Sequence, residues 1–295
     1  MKKSILIVLL LFVMFVGFAG SAKELKDVNM AVMQGPTGFS SVMLPDYVKV
    51  SVYPSPNEAV SLLINGELDM AVLPANTAAN LYNKGVKLKA LAIVGEGMLK
   101  IIGTDDPSNE LYVPGAGGTP EHMAMLLYPQ YKRNYGVTAP AQLAQMLIAG
   151  KCKMAILPQP FVNMVLAKNP DLKTLSDVQS VWAQVTNEKS YPMSVLVATE
   201  SFAKENPSLV SKVKKDYRAS VKAVLEDPEK AAVVIEERGI MKADLAKGAI
   251  KDCAIVFKDG EEIVKELDSY YKILSELAPE AIGKALPDSG FYLKK

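Results

Sequence analysis

The side chains that usually carry enzyme chemistry are scarce in this sequence. Its 295 residues include one histidine, His122, and two cysteines, Cys152 and Cys253. A zinc site needs three or four converging His, Cys or carboxylate ligands. The G-x-S-x-G turn of the α/β-hydrolases and the G-x-x-x-x-G-K-[ST] phosphate loop are both absent from the sequence. The sequence therefore favours binding over covalent or metal chemistry, and we expect no catalytic residue, metal or cofactor.

Four loop-to-helix junctions remain as candidate binding elements. Each follows the carboxyl end of a predicted strand, and they lie at residues 34–39, 74–77, 114–120 and 158–161. In open α/β sheets, ligands bind at the carboxyl ends of the strands, where helix N-termini offer unpaired N–H groups and a partial positive charge. Because the three arginines, Arg133, Arg218 and Arg238, all lie elsewhere, we expect no guanidinium clamp on an anion.

The histidine and the cysteines each allow a structural interpretation. His122 lies in the first turn of a predicted helix, where we expect it to face solvent, with a cleft contact as the alternative. Cys152 and Cys253 belong to no C-x-x-C pair. We expect two buried thiols, with a disulfide as the alternative in an oxidising compartment.

The junctions must be positioned by alternating strands and helices. Short apolar runs punctuated by Gly and Pro predict strands at 26–33, 47–53, 68–73, 88–93, 99–103, 111–113 and 153–157, with helices at 58–65, 120–131 and 141–149. This alternation is typical of parallel βαβ units. From residue 200 onward the pattern predicts helices at 207–226, 228–237, 242–251 and 261–277. We expect this helical tail to cover the first sheet.

One segment of the chain is repeated. Residues 61–74 match residues 145–158 at a constant offset of 84 positions, with identities that include Leu63, Gly66, Met70, Ala71, Leu73 and Pro74. Any helix–Gly–strand–Pro unit would share part of this pattern. The length of the match favours two copies of one α/β lobe facing each other.

The N-terminus and the overall charge bound where the protein acts. Residues 1–22 run from basic to apolar to small side chains, which is typical of a cleaved signal peptide, and no cysteine near residue 22 offers a lipid anchor. We therefore expect a protein outside the cytoplasm, soluble after cleavage and not a lipoprotein. With 33 basic against 32 acidic residues, nucleic acid is not an expected partner.

Several segments, taken in order, carry a family resemblance. They are Gln34-Gly35-Pro36-Thr37-Gly38, the Leu-Leu-x-x-Gly-x-x-Asp-x-Ala sequence at 62–71, Gly118-Thr119-Pro120-Glu121, and residues 155–161, 200–207 and 279–287. The chain resembles the substrate-binding proteins of ABC importers, in the clade for nitrate, sulfonates, taurine and thiamine precursors. The resemblance implies a small-molecule ligand, captured by a monomer and delivered to a permease that a cytoplasmic ATPase drives.

The resemblance also implies an architecture. This is the type II periplasmic-binding-protein fold, an α/β fold of two doubly wound mixed sheets with a central cleft and a helical C-terminal tail. Residues 23–103 plus 196–295 would form the first lobe and residues 104–195 the second. The hinges would lie near residues 103–105 and 191–193.

The same resemblance implies a set of ligand contacts. They are Gln34, Thr37, Gly38, Phe39, Ala75, Asn76, Thr77, Gly118, Thr119, Gln159 and Tyr191. Relatives often carry Glu where Gln159 stands, which weakens the case for a cationic ligand. The ligand is expected to be a sulfonate, a carboxylate or a heteroaromatic precursor, and Phe39, Phe161 and Tyr191 either stack on a ring or belong to the core.

Two other functions stay open on this fold. One is an enzyme, either a lyase of menaquinone synthesis that acts on chorismate-type substrates or a pyrimidine-precursor synthase. The signal peptide argues against the first, and the shortage of His and Cys against the second. The other is a sensor that presents its closed form to a receptor kinase.

Overall fold

The computed structural model describes residues 26–105 and 108–293. The predicted signal peptide, residues 1–22, lies outside the described residues. Within them, no helix combines the length and the apolar character that crossing a membrane requires.

Strands and helices alternate along most of the chain. The strands are β1 (Val28–Met33), β2 (Val48–Tyr53), β3 (Met70–Pro74), β4 (Leu88–Glu96), β5 (Leu99–Gly103), β6 (Glu110–Tyr112), β7 (Lys132–Asn134), β8 (Met154–Pro158), β9 (Lys173–Asp177), β10 (Pro192–Thr199) and β11 (Ile255–Lys258). The helices are α1 (Pro36–Ser41), α2 (Pro56–Ile64), α3 (Ala75–Asn83), α4 (Thr119–Leu127), α5 (Pro140–Ile148), α6 (Phe161–Lys168), α7 (Val178–Thr186), α8 (Glu200–Glu205), α9 (Pro207–Glu226), α10 (Pro228–Glu237), α11 (Ala243–Ala249) and α12 (Glu261–Leu277).

The strands form two mixed sheets, one in each lobe. The first sheet has the order β11-β4-β10-β3-β1-β2, and the second has the order β7-β6-β8-β5-β9. In the first sheet, β10 and β11 run antiparallel to the other strands, and in the second sheet β5 does. The expected two-lobed α/β architecture with two mixed sheets is confirmed.

The chain crosses between the lobes earlier than predicted. Strand β5 pairs with β8 and β9 in the second sheet, so the first crossing lies at Gly97 and Met98 and not near 103–105. The second crossing ends at Pro192, where β10 enters the first sheet opposite Glu96, close to the predicted hinge. Only two residues separate β4 from β5, so the apolar pattern cannot reveal that the chain has changed sheets there.

The internal repeat has the same structure in both lobes. Helix α2 and strand β3 correspond residue for residue to α5 and β8 at the offset of 84 positions. Each of the two helices is followed by a glycine with positive φ, 77° at Gly66 and 67° at Gly150, which closes the helix and turns the chain toward the strand. The predicted duplication is confirmed.

The helical tail covers both faces of the first sheet, as predicted. Val213 and Tyr217 of α9 pack in one core with Phe39 and Val72. On the other face, Leu267 and Tyr271 of α12 belong to the core that also spans the junction between the lobes. The tail also contributes the edge strand β11, which the sequence did not predict. The second lobe likewise holds β9 and α7, which the sequence left unassigned.

Candidate ligand-binding site

A cavity of about 450 Å³ lies between the two lobes. Ligand pockets in proteins commonly measure about 300–1,000 Å³. Its floor is the crossing region, with Met98 after β4 and Met193 and Ser194 at the start of β10. Its walls are loops and first helical turns that follow the carboxyl ends of strands in both lobes, where the sequence placed the candidate junctions.

The two walls are built from equivalent pieces of the repeat. The β1–α1, β2–α2 and β3–α3 junctions of the first lobe correspond to β6–α4, β7–α5 and β8–α6 of the second. Across the cleft, β3–α3 contacts β6–α4 through Asn76, and β1–α1 lies against β8–α6 at Gly35. The first lobe contributes Met33, Gln34, Pro36, Thr37, Pro54, Ser55, Pro56, Asn57, Val72, Leu73, Pro74 and Thr77. The second lobe contributes Pro114, Gly115, Ala116, Gly117, Gly118, Thr119, Pro120, Thr138, Pro140, Pro158 and Phe161.

Five of the predicted contact residues lie on the cavity wall. They are Gln34, Thr37, Thr77, Gly118 and Thr119. Two of these hydroxyls are already engaged within the protein. Thr37 donates to the Met33 carbonyl at 3.0 Å, and Thr119 donates to Asn76 across the cleft at 3.0 Å.

The other six predicted contacts lie behind the wall. They are Gly38, Phe39, Ala75, Asn76, Gln159 and Tyr191, none of which is among the residues that line the cavity. A helix turns about 100° per residue, so only some residues of a first turn can face the ligand. Phe39 is fully buried in the core between α1 and the first sheet. Ala75 is fully buried, and its carbonyl accepts a hydrogen bond from Tyr271 at 2.9 Å.

Asn76 connects the lobes instead of facing the cavity. Its side-chain nitrogen donates to the carbonyl of Gly117 at 3.0 Å, and its side-chain oxygen accepts from the Thr119 hydroxyl at 3.0 Å. Asn76 and Thr119 are each only 1% exposed. One amide of the first lobe thus satisfies two groups of the glycine-rich loop in the second.

A second set of interlobe hydrogen bonds runs through Gln159 and Asn163. Gln159 donates to the Asn163 side chain at 2.8 Å. Asn163 then donates to Asp252 at 2.9 Å and to the Gly248 carbonyl at 3.3 Å, both in the first lobe. Gln159 therefore orients an interlobe contact and is not on the wall. The hydrogen bonds at both ends of the cleft describe a closed arrangement of the lobes.

Tyr191 lies in an aromatic cluster at the second crossing. Its ring is fully buried and packs against Trp182 of the second lobe, with ring centroids 5.4 Å apart, and against Tyr270 of the first lobe at 6.4 Å. A Cβ added at Gly97 would lie 2.5 Å from the Tyr191 ring and 1.9 Å from the Gln179 side-chain oxygen. Glycine at position 97 is what lets the first crossing pass this cluster.

His122 is buried, contrary to the expectation that it faces solvent. His122 belongs to α4, and only 7% of the residue is exposed. Neither ring nitrogen has a hydrogen-bond partner within the described protein. Burial lowers the pKa of the imidazole below its ordinary value, and the neighbouring Glu121 carboxylate and the Gly117 backbone oppose that shift. The apolar periodicity of α4 offered no signal for this burial, because it comes from packing against the rest of the second lobe.

Both cysteines are free and buried, as predicted. Burial raises the pKa of the Cys152 thiol to about 11. It raises the pKa of Cys253 as well, with the carboxylate of Asp252 adding to the shift. Two neutral thiols in apolar surroundings are inert as nucleophiles.

The repeat could have identified wall residues that we did not predict. Strand β2 is followed by Pro54–Asn57 in the first lobe, and the equivalent loop after β7 supplies Thr138 and Pro140. The two loops lie 84 positions apart. Extending the repeat alignment to residues before 61 would therefore have identified both loops as wall elements. Met98 and Met193 have no such signal, because they reach the cavity through the crossings.

The wall is neutral in charge. Among the described residues that line the cavity there is no Asp, Glu, Lys, Arg or His. Eight of the lining residues are prolines, at positions 36, 54, 56, 74, 114, 120, 140 and 158. The polar groups are hydroxyls and amides, so the site can bind through neutral hydrogen bonds and apolar contact.

Comparison with known families bears on what such a cleft does. A family model described as menaquinone biosynthesis matches residues 44–276. The chain belongs to this family. The matched segment of the menaquinone-biosynthesis family includes parts of both lobes, both crossings and every wall junction except β1–α1, which precedes residue 44. No curated protein matches the sequence.

Solved structures place the fold of this family member among periplasmic binding proteins. An ABC transporter protein from Parabacteroides distasonis shares 28% identity, with a TM-score of 0.76 over 92% of this chain and 99% of that one. The periplasmic aliphatic sulphonate-binding protein of Escherichia coli is 12% identical, with a TM-score of 0.68 over 92% and 93% of the chains. The periplasmic nitrate-binding protein of Synechocystis is 11% identical, with a TM-score of 0.61 over 81% and 75%.

The two comparisons agree on the fold. The chain has the two-lobed periplasmic-binding-protein fold that the resemblance implied, and the neighbours include binding components of ABC transport systems. The family description names a biosynthetic process and the structural neighbours name transport. Fold alone does not decide between these functions.

Proposed function

We propose that this chain is the extracytoplasmic solute-binding component of an ABC import system. It captures a small organic molecule by closing its lobes and delivers it to a permease that a cytoplasmic ATPase drives. The observation that carries the proposal is the interlobe cavity. Interlobe hydrogen bonds from Asn76 and Asn163 lie on either side of it. Enclosure between two hinged bodies couples ligand binding to a change of shape that a partner can recognise.

The chemistry of the wall supports binding over turnover. General acid–base catalysis needs a titratable side chain within hydrogen-bond reach of the substrate. The wall residues that the structure describes offer hydroxyls, amides and apolar groups. The histidine lies behind the wall with its nitrogens buried, and both thiols belong to the lobe cores.

The proposal is tested by native mass spectrometry of the protein without residues 1–22, purified gently and then denatured for comparison. We expect the folded protein to carry a small molecule whose mass disappears on denaturation. Deletion of the gene should then abolish uptake of that molecule by the cells. A ligand whose uptake is unaffected by the deletion would contradict import and favour the sensor function instead.

A second candidate is an enzyme of menaquinone synthesis, which the family match favours. In that case the purified protein should convert a chorismate-type carboxylic acid into a product of different mass. The matched control is Thr119→Val, since Thr119 is the wall hydroxyl that also holds the lobes together. If the wild-type protein turns the substrate over and the Thr119→Val variant does not, the import proposal is wrong and the enzyme function replaces it. A substrate that is bound and recovered unchanged supports import.

A further inference from the structure

We infer that the ligand of this cleft is an uncharged, largely apolar small molecule. The inference rests on the proposed function and narrows its ligand class, since sulfonates, carboxylates and heteroaromatic compounds were all compatible with the sequence. Three features of the wall support it: the chemistry of the lining side chains, the state of the helix N-termini that face the cavity, and a carboxylate at the glycine-rich loop.

The lining side chains provide no cation for an anionic ligand. The three arginines, Arg133, Arg218 and Arg238, and all described lysines lie off the wall. A buried anion without a partner is strongly disfavoured in a largely apolar cavity. Met33, Leu73, Met98, Phe161 and the wall prolines instead present thioether, aromatic and aliphatic surface.

Helix N-termini could replace a cation, because their free N–H groups bind anions. Here proline removes one such group from each of three helices. Helices α2 and α5 begin at Pro56 and Pro140, and Pro120 is the second residue of α4; proline has no N–H to donate. In α6 the N–H of Asn163 is already bound by the Gln159 side chain at 3.3 Å.

The glycine-rich loop carries its own anion. The Gly117 N–H donates to the Glu121 carboxylate, so one N–H of this loop is already bound to a negative charge of the protein. A second carboxylate, Glu58, lies in the first turn of α2. Both carboxylates complement the positive ends of their helices and would repel an anionic ligand.

Neutral polar groups remain to orient an uncharged ligand. Ser55, Asn57, Thr77 and Ser194 place hydroxyls and an amide on the wall. Such groups match the carbonyl, hydroxyl or ring nitrogen of a neutral compound. A mostly apolar cavity with a few placed hydrogen-bonding groups is typical of sites for organic ligands.

The test uses three pairs of probes that differ in charge. They are benzenesulfonamide with benzenesulfonate, benzamide with benzoate, and indole with indole-3-carboxylate. We expect the uncharged member of each pair to bind at least about 10-fold more tightly by calorimetry, since a charge-assisted partner is missing for the other. The affinity of the uncharged probe should be the same at roughly 50 mM and roughly 500 mM salt, because its binding involves no charge pair that salt could screen.

An engineered cation supplies the positive control. Thr138 is an exposed wall residue, so Thr138→Arg should fold and should bind benzenesulfonate at least about 10-fold more tightly than the wild-type protein. Thr138→Gln, with similar reach and no charge, should not. The contrast shows that the wild-type wall lacks a cation and not merely the room for an anion.

The outcomes separate this inference from the proposed function. Tighter wild-type binding of the anionic members, with a change in Trp182 fluorescence, would overturn the uncharged ligand class and leave solute capture standing. Binding of no probe by the wild-type protein, together with no mass lost on denaturation, would overturn both.

Discussion

The hydroxyl of Thr119 donates a hydrogen bond to the side-chain oxygen of Asn76 across the cleft, at 3.0 Å. Thr119 begins α4 of the second lobe and Asn76 is in the first turn of α3 in the first lobe. The pair, with the bond from Asn76 to Gly117, joins the two walls directly. It is present only while the lobes are closed, so it links the stability of the closed form to ligand affinity.

Asn76→Ala should weaken ligand binding by favouring the open form. The variant loses two interlobe hydrogen bonds, each worth about 1 kcal/mol net, so affinity should fall roughly 30-fold. Because Asn76 does not line the cavity, the ranking of ligands should stay the same. Calorimetry across a series of ligands measures both effects, and small-angle scattering should show a larger open fraction.

Asn80→Ala is the matched control for that variant. Asn80 is on the same helix, and its side chain donates to the Glu280 carbonyl within the first lobe at 2.9 Å. We expect its ligand affinity to remain within about 2-fold of the wild-type value. A changed ligand ranking in Asn76→Ala, or equal losses in both variants, would contradict the closing role of Asn76.

Gly97→Ala should destabilise the crossing. The new methyl group would lie 2.5 Å from the ring of Tyr191, which is fully buried and cannot move aside freely. We expect a loss of about 1–3 kcal/mol, as for other overpacked sites, measured as a lower melting temperature. The single tryptophan, Trp182, contacts Tyr191, so its fluorescence should change as well.

Gly248→Ala serves as the control for this substitution. Gly248 is inside α11, and a Cβ there meets nothing within 4 Å. Replacing a helical glycine with alanine removes backbone freedom from the unfolded chain and should stabilise by about 0.5–1 kcal/mol. A Gly97→Ala protein as stable as the wild type would show that the crossing has more room than the structure gives it.

Stability should decrease below about pH 6.5 because of His122. Burial lowers the pKa of this imidazole in the folded state, whereas the unfolded chain keeps the ordinary value of 6.5. Below that pH the unfolded chain binds a proton that the folded protein resists, so the free energy of unfolding falls as the pH drops toward the folded pKa. Above about pH 6.5 the contribution is constant.

His122→Met isolates this effect, because the chain has no other histidine. The variant replaces an unpartnered buried imidazole with an apolar side chain, which is neutral or stabilising when no hydrogen bond is lost. Chemical unfolding at several pH values should show the wild-type stability falling relative to the variant between pH 6.5 and pH 5. A constant difference across that range would contradict the buried neutral imidazole.

The two thiols should react only after unfolding. Burial raises the pKa of Cys152 to about 11 and also raises the pKa of Cys253, so almost no thiolate exists at neutral pH in the folded state. A chromogenic disulfide reagent should label neither residue in the native protein and both in denaturant. Labelling of neither residue in denaturant would reveal a disulfide.

Much of the fold could be read from the sequence, since it depends on local patterns. The repeat between residues 61–74 and 145–158 contains apolar periodicity, a glycine that ends each helix and a proline that ends each strand. These signals act within a few residues, and the structure has α2–β3 and α5–β8 with identical lengths. The junctions after the strands followed directly, because parallel strands end at one edge of a sheet.

The contacts between distant segments came only from the tertiary structure. Asn76, Gln159 and Tyr191 have side chains suited to ligand binding, yet Asn76 and Gln159 contribute to hydrogen bonds between the lobes and Tyr191 packs in the aromatic cluster at the second crossing. The direction in which such a side chain points depends on packing between the lobes. Neighbouring residues of a helix point about 100° apart, so only some residues of a first turn reach the wall. The sequence by itself determined two α/β lobes with binding loops at their strand ends. The neutrality of the wall and the crossing at Gly97 were decided by how the lobes pack together, and the burial of His122 by packing within the second lobe.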